Sequence, residues 1–287
     1  MIKYLHALLL IVFFCLKLFS NPTKFYEMQS GKEQIVNIDS LELCTESFGD
    51  SKNQPILLIM GASASMIWWD SEFCQKLANQ GRFVIRYDNR DVGRSTTYKP
   101  GAPNYFIEDM VDDAIRILDY YGIEKAHFVG MSLGGMISQL AALINPERVL
   151  TITLISSSVW DDNPELPGIN EKILNYHTSA ASLDWSNKDS VINYMVGGWE
   201  LLNGSKWQFD TDQALKLAET EYKRANNILS MFNHAALKGG ESLYGESVKI
   251  KVPTLIIHGT EDPVLPYKHG LELKKTIPNF RTINTRK

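Results

Sequence analysis

Cysteine is scarce in this sequence. Cys15, Cys44 and Cys74 are all that 287 residues contain, too few for a disulfide framework. No cysteine–histidine group has zinc-site spacing, so no metal is expected. Basic charge is also short: 29 Lys and Arg against 33 Asp and Glu leave a net charge of -4. A nucleic-acid partner is therefore not expected, because such proteins present a basic surface. Internal repeats and low-complexity tracts are missing too. What remains is an ordinary globular composition, 44% hydrophobic and 22% charged, enough for one large domain.

Long apolar runs are equally rare, and the one that stands out is at the start. Residues 5–16 are apolar except for His6, with Lys3 before them and Lys17 after. A run of about twelve residues is short for a membrane span, which needs roughly 17–25. It suits the core of a secretory signal peptide. Residues 1–20 are thus expected to be a signal peptide, making the protein periplasmic or secreted. If they stay uncleaved, residues 5–16 become a membrane attachment. The fold is expected to begin near residue 24 and to form a single domain to residue 287.

Beyond the leader, strand and helix patterns alternate. Residues 56–60 read Ile-Leu-Leu-Ile-Met, a continuous apolar run of the kind found in strands buried on both faces. Residues 83–87, 127–131, 151–156 and 254–258 look alike, and 35–38 and 41–47 read as two earlier strands. Helical patterns occupy 71–80, 106–121 and 133–144. In the second, Met110, Ala114, Ile117, Leu118 and Tyr121 form one apolar stripe. Such alternation implies an α/β fold with a mostly parallel sheet and helices on both faces. Residues from about 159 to 235 break the rhythm. They are helix-rich, contain Trp160, Trp185, Trp199 and Trp207, and read as a helical cap inserted into the α/β core.

The chemistry concentrates at residues 130–134, Gly130-Met131-Ser132-Leu133-Gly134. This Gly-x-Ser-x-Gly pattern puts a serine at the apex of a sharp strand-to-helix turn. Gly130 and Gly134 permit the close approach of strand and helix. The N–H of Leu133 then lies at a helix N-terminus, where negative charge is stabilised. Alone the pattern is weak, since roughly one chain in ten of this length has it by chance. Its place between an apolar strand and a helix gives it weight, although an inert glycine-rich turn stays open.

Several segments in combination resemble the α/β-hydrolase superfamily, and within it the aclacinomycin/rhodomycin methylesterase-like branch. They are residues 59–63 (Ile-Met-Gly-Ala-Ser), 86–95 (Arg-Tyr-Asp-Asn-Arg-Asp-Val-Gly-Arg-Ser), 130–136, 146–149 (Pro-Glu-Arg-Val) and 257–266 (Ile-His-Gly-Thr-Glu-Asp-Pro-Val-Leu-Pro). The resemblance implies an α/β-hydrolase fold with Ser132 as nucleophile and Asp262 as the orienting acid. It implies an oxyanion hole made by the N–H groups of Ala62 and Leu133. The spacing agrees for Asp262, which lies just past a buried strand, where it can reach the sheet edge that carries Ser132. A turn residue before Pro263 is the alternative there. Asp88, Arg90 and Asp91 read as an internal ion-paired turn, with a catalytic element as the alternative.

The catalytic histidine is unknown. The six histidines are His6, His127, His177, His234, His258 and His269, and none occupies the place that the resemblance gives to the base. That place is a loop after an eighth strand, about 28 residues past Asp262 and so near position 290. Residues 281–287 are also poorer in apolar side chains than an eighth strand should be, as in a truncated or frame-shifted chain. The expected function is hydrolysis of a small or medium carboxylic ester, such as a methyl ester, through an acyl-enzyme and without a cofactor. The alternative is an impaired hydrolase fold that binds an apolar ligand without turnover. A dehalogenase is disfavoured, because the turn carries Ser132 and not a carboxylate.

Overall fold

A computed structural model describes residues 31–285. The expected leader, residues 1–20, and the expected start of the fold near residue 24 lie outside the described residues. Among the described residues no helix is long and apolar enough to cross a membrane.

The chain forms an eight-stranded sheet: β1 (Gln34–Ile38), β2 (Leu41–Phe48), β3 (Gln54–Ile59), β4 (Arg82–Tyr87), β5 (Ala126–Met131), β6 (Val149–Ile155), β7 (Thr254–Gly259) and β8 (Phe280–Thr285). The spatial order is β1-β2-β4-β3-β5-β6-β7-β8. β1 pairs with β2, and β2 with β4, in antiparallel fashion; every later pairing is parallel. The carboxyl ends of β3 to β8 therefore share one edge of the sheet, where ligands bind in open α/β folds.

Local sequence explains the elements. The apolar run of β3 is buried on both faces, with Ile56, Leu57, Leu58 and Ile59 at most 3% exposed. One side chain of each alternating pair joins the core under α2 (Ile107–Tyr120) and α3 (Leu133–Ile144). The other joins the core under α1 (Ser71–Ala78). The stripe on α2 buries Met110, Ala114, Ile117 and Leu118, and full burial of each large side chain contributes about 1.5–3 kcal/mol. The helix starts where the Asp109 carboxylate accepts the Phe106 N–H at 2.7 Å. On α1 the Asp70 side chain accepts the N–H groups of Glu72 and Phe73, an N-cap that satisfies otherwise orphaned donors.

The end of the chain corrects the sequence reading. Residues 281–285 belong to β8, which pairs with β7 at every position from Phe280 opposite Thr254 to Thr285 opposite Gly259. Apolar content misleads here because β8 is an edge strand. It needs to bury only part of its surface, which Phe280 does against the core. β8 thus delivers its carboxyl end to the same sheet edge as β7.

Between β6 and β7 the chain leaves the sheet as a helical insertion. It contains α4 (Glu171–Ser179), α5 (Lys188–Leu202), α6 (Thr211–Arg224) and a 3-10 segment, Ile228–Ala236. The helix α7 (Lys268–Thr276) then precedes β8. The insertion has an apolar core of its own around Val191, Ile192, Met195, Val196, Ala214 and Ala218. The tryptophans divide their work. Trp185 packs on Tyr194 and Phe232 inside the insertion, whereas Trp199 stacks at 4.2 Å on Trp68, in the loop after β3.

Candidate active site

Ser132 is the junction between β5 and α3. Its backbone sits at φ 49° and ψ -117°, a region that non-glycine residues rarely occupy and that stored strain often marks as functional. Backbone bonds hold it there. Its N–H donates to the Ile155 carbonyl at 2.9 Å, and its carbonyl accepts from the Gly135 N–H at 2.9 Å and from the Ser157 hydroxyl at 2.8 Å. Its side chain makes no capping bond to the helix that follows.

The glycines are needed for contact. A Cβ on Gly130 would run into the Gly134 carbonyl, and one on Gly134 would run into the Ile59 carbonyl. β3, β5 and α3 therefore approach to backbone contact around the serine. The same closeness brings the loop after β3 to the site: a Cβ on Gly61 would lie 3.2 Å from the Ser132 Cβ. Ala62 follows Gly61 directly. Among the described residues neither the Ala62 nor the Leu133 N–H is engaged in a backbone hydrogen bond.

Asp262 lies in the loop after β7, at the same sheet edge. Its Oδ1 accepts the N–H groups of Val264 and Leu265 at 3.0 and 2.9 Å. The histidine that comes to it is His258, with Nε2 3.7 Å from Asp262 Oδ2. That nitrogen hydrogen-bonds the Leu265 carbonyl at 2.7 Å instead. The other described histidines also have partners of their own. His127 bonds Thr151 and Gln54. His177 bonds Tyr194 inside the insertion. His269 ties α7 to Ser158 and to the Pro167 carbonyl. His234 bridges the Ser63 N–H and the Arg90 carbonyl. The structure thus brings Ser132, Leu133, the Gly61-Ala62 loop and Asp262 to one sheet edge, and among the described residues no histidine hydrogen-bonds both Ser132 and Asp262.

The charged loop after β4 is an internal ion-paired turn. Arg90 clasps Asp113 with bonds of 2.7 and 2.8 Å. Asp91 accepts the Tyr98 N–H and the Tyr105 hydroxyl. Asp88, fully buried, accepts the N–H groups of Met66 and Arg94 and pairs with Arg224 of α6.

Sequence reasoning missed the groups by which the insertion grips these loops. Glu221 of α6 accepts the Ser65 hydroxyl at 2.5 Å and the Trp68 indole N–H at 3.0 Å. Burial pushes its carboxyl up to about 7. Glu261, beside Asp262, accepts the Ser205 N–H and hydroxyl from the turn after α5. No local signal marks these residues, because each partner is more than 50 positions away.

Comparison with known proteins decides the family. A family model described as the alpha/beta hydrolase fold matches residues 54–285. The chain belongs to the alpha/beta hydrolase family. The resemblance to its methylesterase-like branch is borne out as well. Rhodomycin D methylesterase DauP of Streptomyces sp. (strain C5) is 31% identical over 265 residues, covering 87% of this chain and 89% of that protein. Rhodomycin D methylesterase DnrP of Streptomyces peucetius is 30% identical, with the same coverage. Among solved structures, an enol-lactonase from Burkholderia xenovorans superposes with a TM-score of 0.68 at 20% identity, covering 88% of this chain and 90% of that one. At that identity the likeness speaks for the fold alone.

Proposed function

We propose that this hydrolase cleaves a small or medium carboxylic ester, a methyl ester foremost, through an acyl-enzyme on Ser132. The observation that carries the reading is the Ser132 turn, held at positive φ with no capping bond to the helix and with the Gly61 loop against it. The naming of its relatives as methylesterases supports the substrate class.

In this reading the Ser132 oxygen attacks the ester carbonyl carbon and passes its proton to water in the site. The carbonyl oxygen becomes an oxyanion, which accepts the N–H groups of Ala62 and Leu133. Such preorganised donors stabilise charge where it develops, and removing one typically costs about 10²–10³ in rate. Collapse expels the alkoxide, which takes that proton back from water and leaves as the alcohol; a second water then attacks the acyl-enzyme, releasing the acid and returning a proton to Ser132. Asp262 is the carboxylate that would orient a base. The described histidines are all bonded elsewhere, so catalysis by the described residues draws on the oxyanion hole and binding, roughly 10³–10⁴-fold over water. That same engagement of the histidines favours a second reading, ligand binding without turnover.

The helical insertion acts as a cap. It is bonded to the loops after β3, β4 and β7, all at the carboxyl edge, and so covers the approach to Ser132. Residues 1–20 export the protein, which N-terminal sequencing of material from the extracellular or periplasmic fraction tests. The chemical reading is tested by hydrolysis of p-nitrophenyl acetate and of a series of methyl esters. Turnover that Ser132→Ala abolishes is the expected result. Binding of esters with no Ser132-dependent release of alcohol favours the second reading.

A further inference from the structure

We propose that His234 is a positioning residue for the oxyanion hole, holding the loop after β3 so that the Ala62 N–H faces the reacting carbonyl. This rests on the reading of Ser132 and Ala62 above. Ser63, the next residue after Ala62, has φ 64°, in the left-handed region where a side chain is disfavoured. Something outside the loop must hold it there. Two bonds do so, both from the 3-10 segment Ile228–Ala236. The Ser63 N–H donates to His234 Nδ1 at 2.9 Å, and the Ser63 hydroxyl donates to the Met231 carbonyl at 3.0 Å.

The other side of the imidazole fixes its chemistry. His234 Nε2 lies 2.8 Å from the Arg90 carbonyl, so Nε2 carries the proton and donates. Nδ1 is then left with the lone pair that the Ser63 N–H requires. The ring is buried, and its backbone segment is anchored independently of Ser63. Asn233 donates to Asp91 at 3.0 Å and to the Lys99 carbonyl at 3.2 Å, and accepts the Gly101 N–H at 2.7 Å. Ser230 donates to the Asp91 carbonyl at 2.8 Å. His234 is therefore a strut between a fixed loop after β4 and a strained loop after β3. Because it takes the Ser63 N–H, it leaves the Ala62 N–H as the donor at this turn, and it fixes the backbone from which that N–H projects.

Two substitutions separate positioning from packing. His234→Asn puts a carbonyl oxygen near the Nδ1 position and keeps an acceptor for the Ser63 N–H. His234→Gln puts an amide nitrogen near the Nε2 position and keeps the donor to Arg90, but loses that acceptor. The probe is phenylboronic acid, whose tetrahedral adduct on a serine presents an oxyanion without any turnover. Binding to the full chain is expected to weaken roughly 10–100-fold in His234→Gln, the scale set by a misplaced group. It is expected to recover to within a few-fold of wild type in His234→Asn, with Ser63 amide exchange fast only in the Gln variant. If Ser132→Ala abolishes boronate binding while His234→Gln leaves it unchanged, or both His234 variants lose it equally, the positioning role is overturned. If Ser132→Ala binds as tightly as wild type, the reading of Ser132 itself fails and this inference falls with it.

Discussion

Glu221 offers a quantitative test of how the insertion is docked. It is 4% exposed, and its Oε2 receives the Ser65 hydroxyl and the Trp68 indole N–H. Burial raises its carboxyl from an ordinary 4.5 to about 7, against the attraction of Arg224. The folded protein therefore holds this proton more tightly than the unfolded chain does. Its contribution to stability is fully present below about 4.5 and is lost as pH rises through about 7. The difference corresponds to about 3 kcal/mol. Glu221→Gln keeps a carbonyl oxygen for both donors and removes the charge. Urea unfolding of the two proteins should coincide near about pH 4, and the variant should be more stable by about 3 kcal/mol above about pH 8. A difference that does not change with pH refutes the reasoning. So does a variant less stable at high pH, since that would make the ionised carboxylate a net asset beside Arg224.

Other outcomes follow from the same contacts. Gly130→Ala forces a Cβ into the Gly134 carbonyl and should cost about 1–3 kcal/mol in urea unfolding, with loss of any Ser132-dependent hydrolysis. Arg90→Ala strands the buried Asp113 carboxylate and should cost about 3–5 kcal/mol, most of it recovered by the double variant that also carries Asp113→Asn. Burial holds His127 down to about 4, so its ring signals should titrate near that pH by NMR. Its contribution to stability is present above about 6.5 and disappears as pH falls through about 4.

The sheet was legible because buried parallel strands announce themselves as short apolar runs. The runs at 56–60, 127–131 and 254–258 became β3, β5 and β7 within a residue or two of the expected ends. The stripe of α2 and the turn at Ser132 were legible for a similar reason: both are local patterns with one steric explanation. β8 was misread because an edge strand is released from the composition rule that governs the centre. The insertion was recognisable as helical, but not the way it docks. Ser63 and His234 are 171 positions apart, and Asp88 and Arg224 are 136 apart. No periodicity along the chain carries such a pairing. A buried polar residue in a largely apolar segment, such as His234 near Met231 and Phe232, is the faint signal that existed.

In the proposed reaction Ser132 carries the acyl group of a cleaved ester. The direct measurement is acid quenching of the protein during incubation with p-nitrophenyl acetate, followed by peptide mass mapping. A single acetyl group is expected on the peptide that contains Ser132, absent from the Ser132→Ala variant. An acetyl group found elsewhere, no acetyl group on Ser132, or p-nitrophenol release that continues unchanged in Ser132→Ala would contradict it.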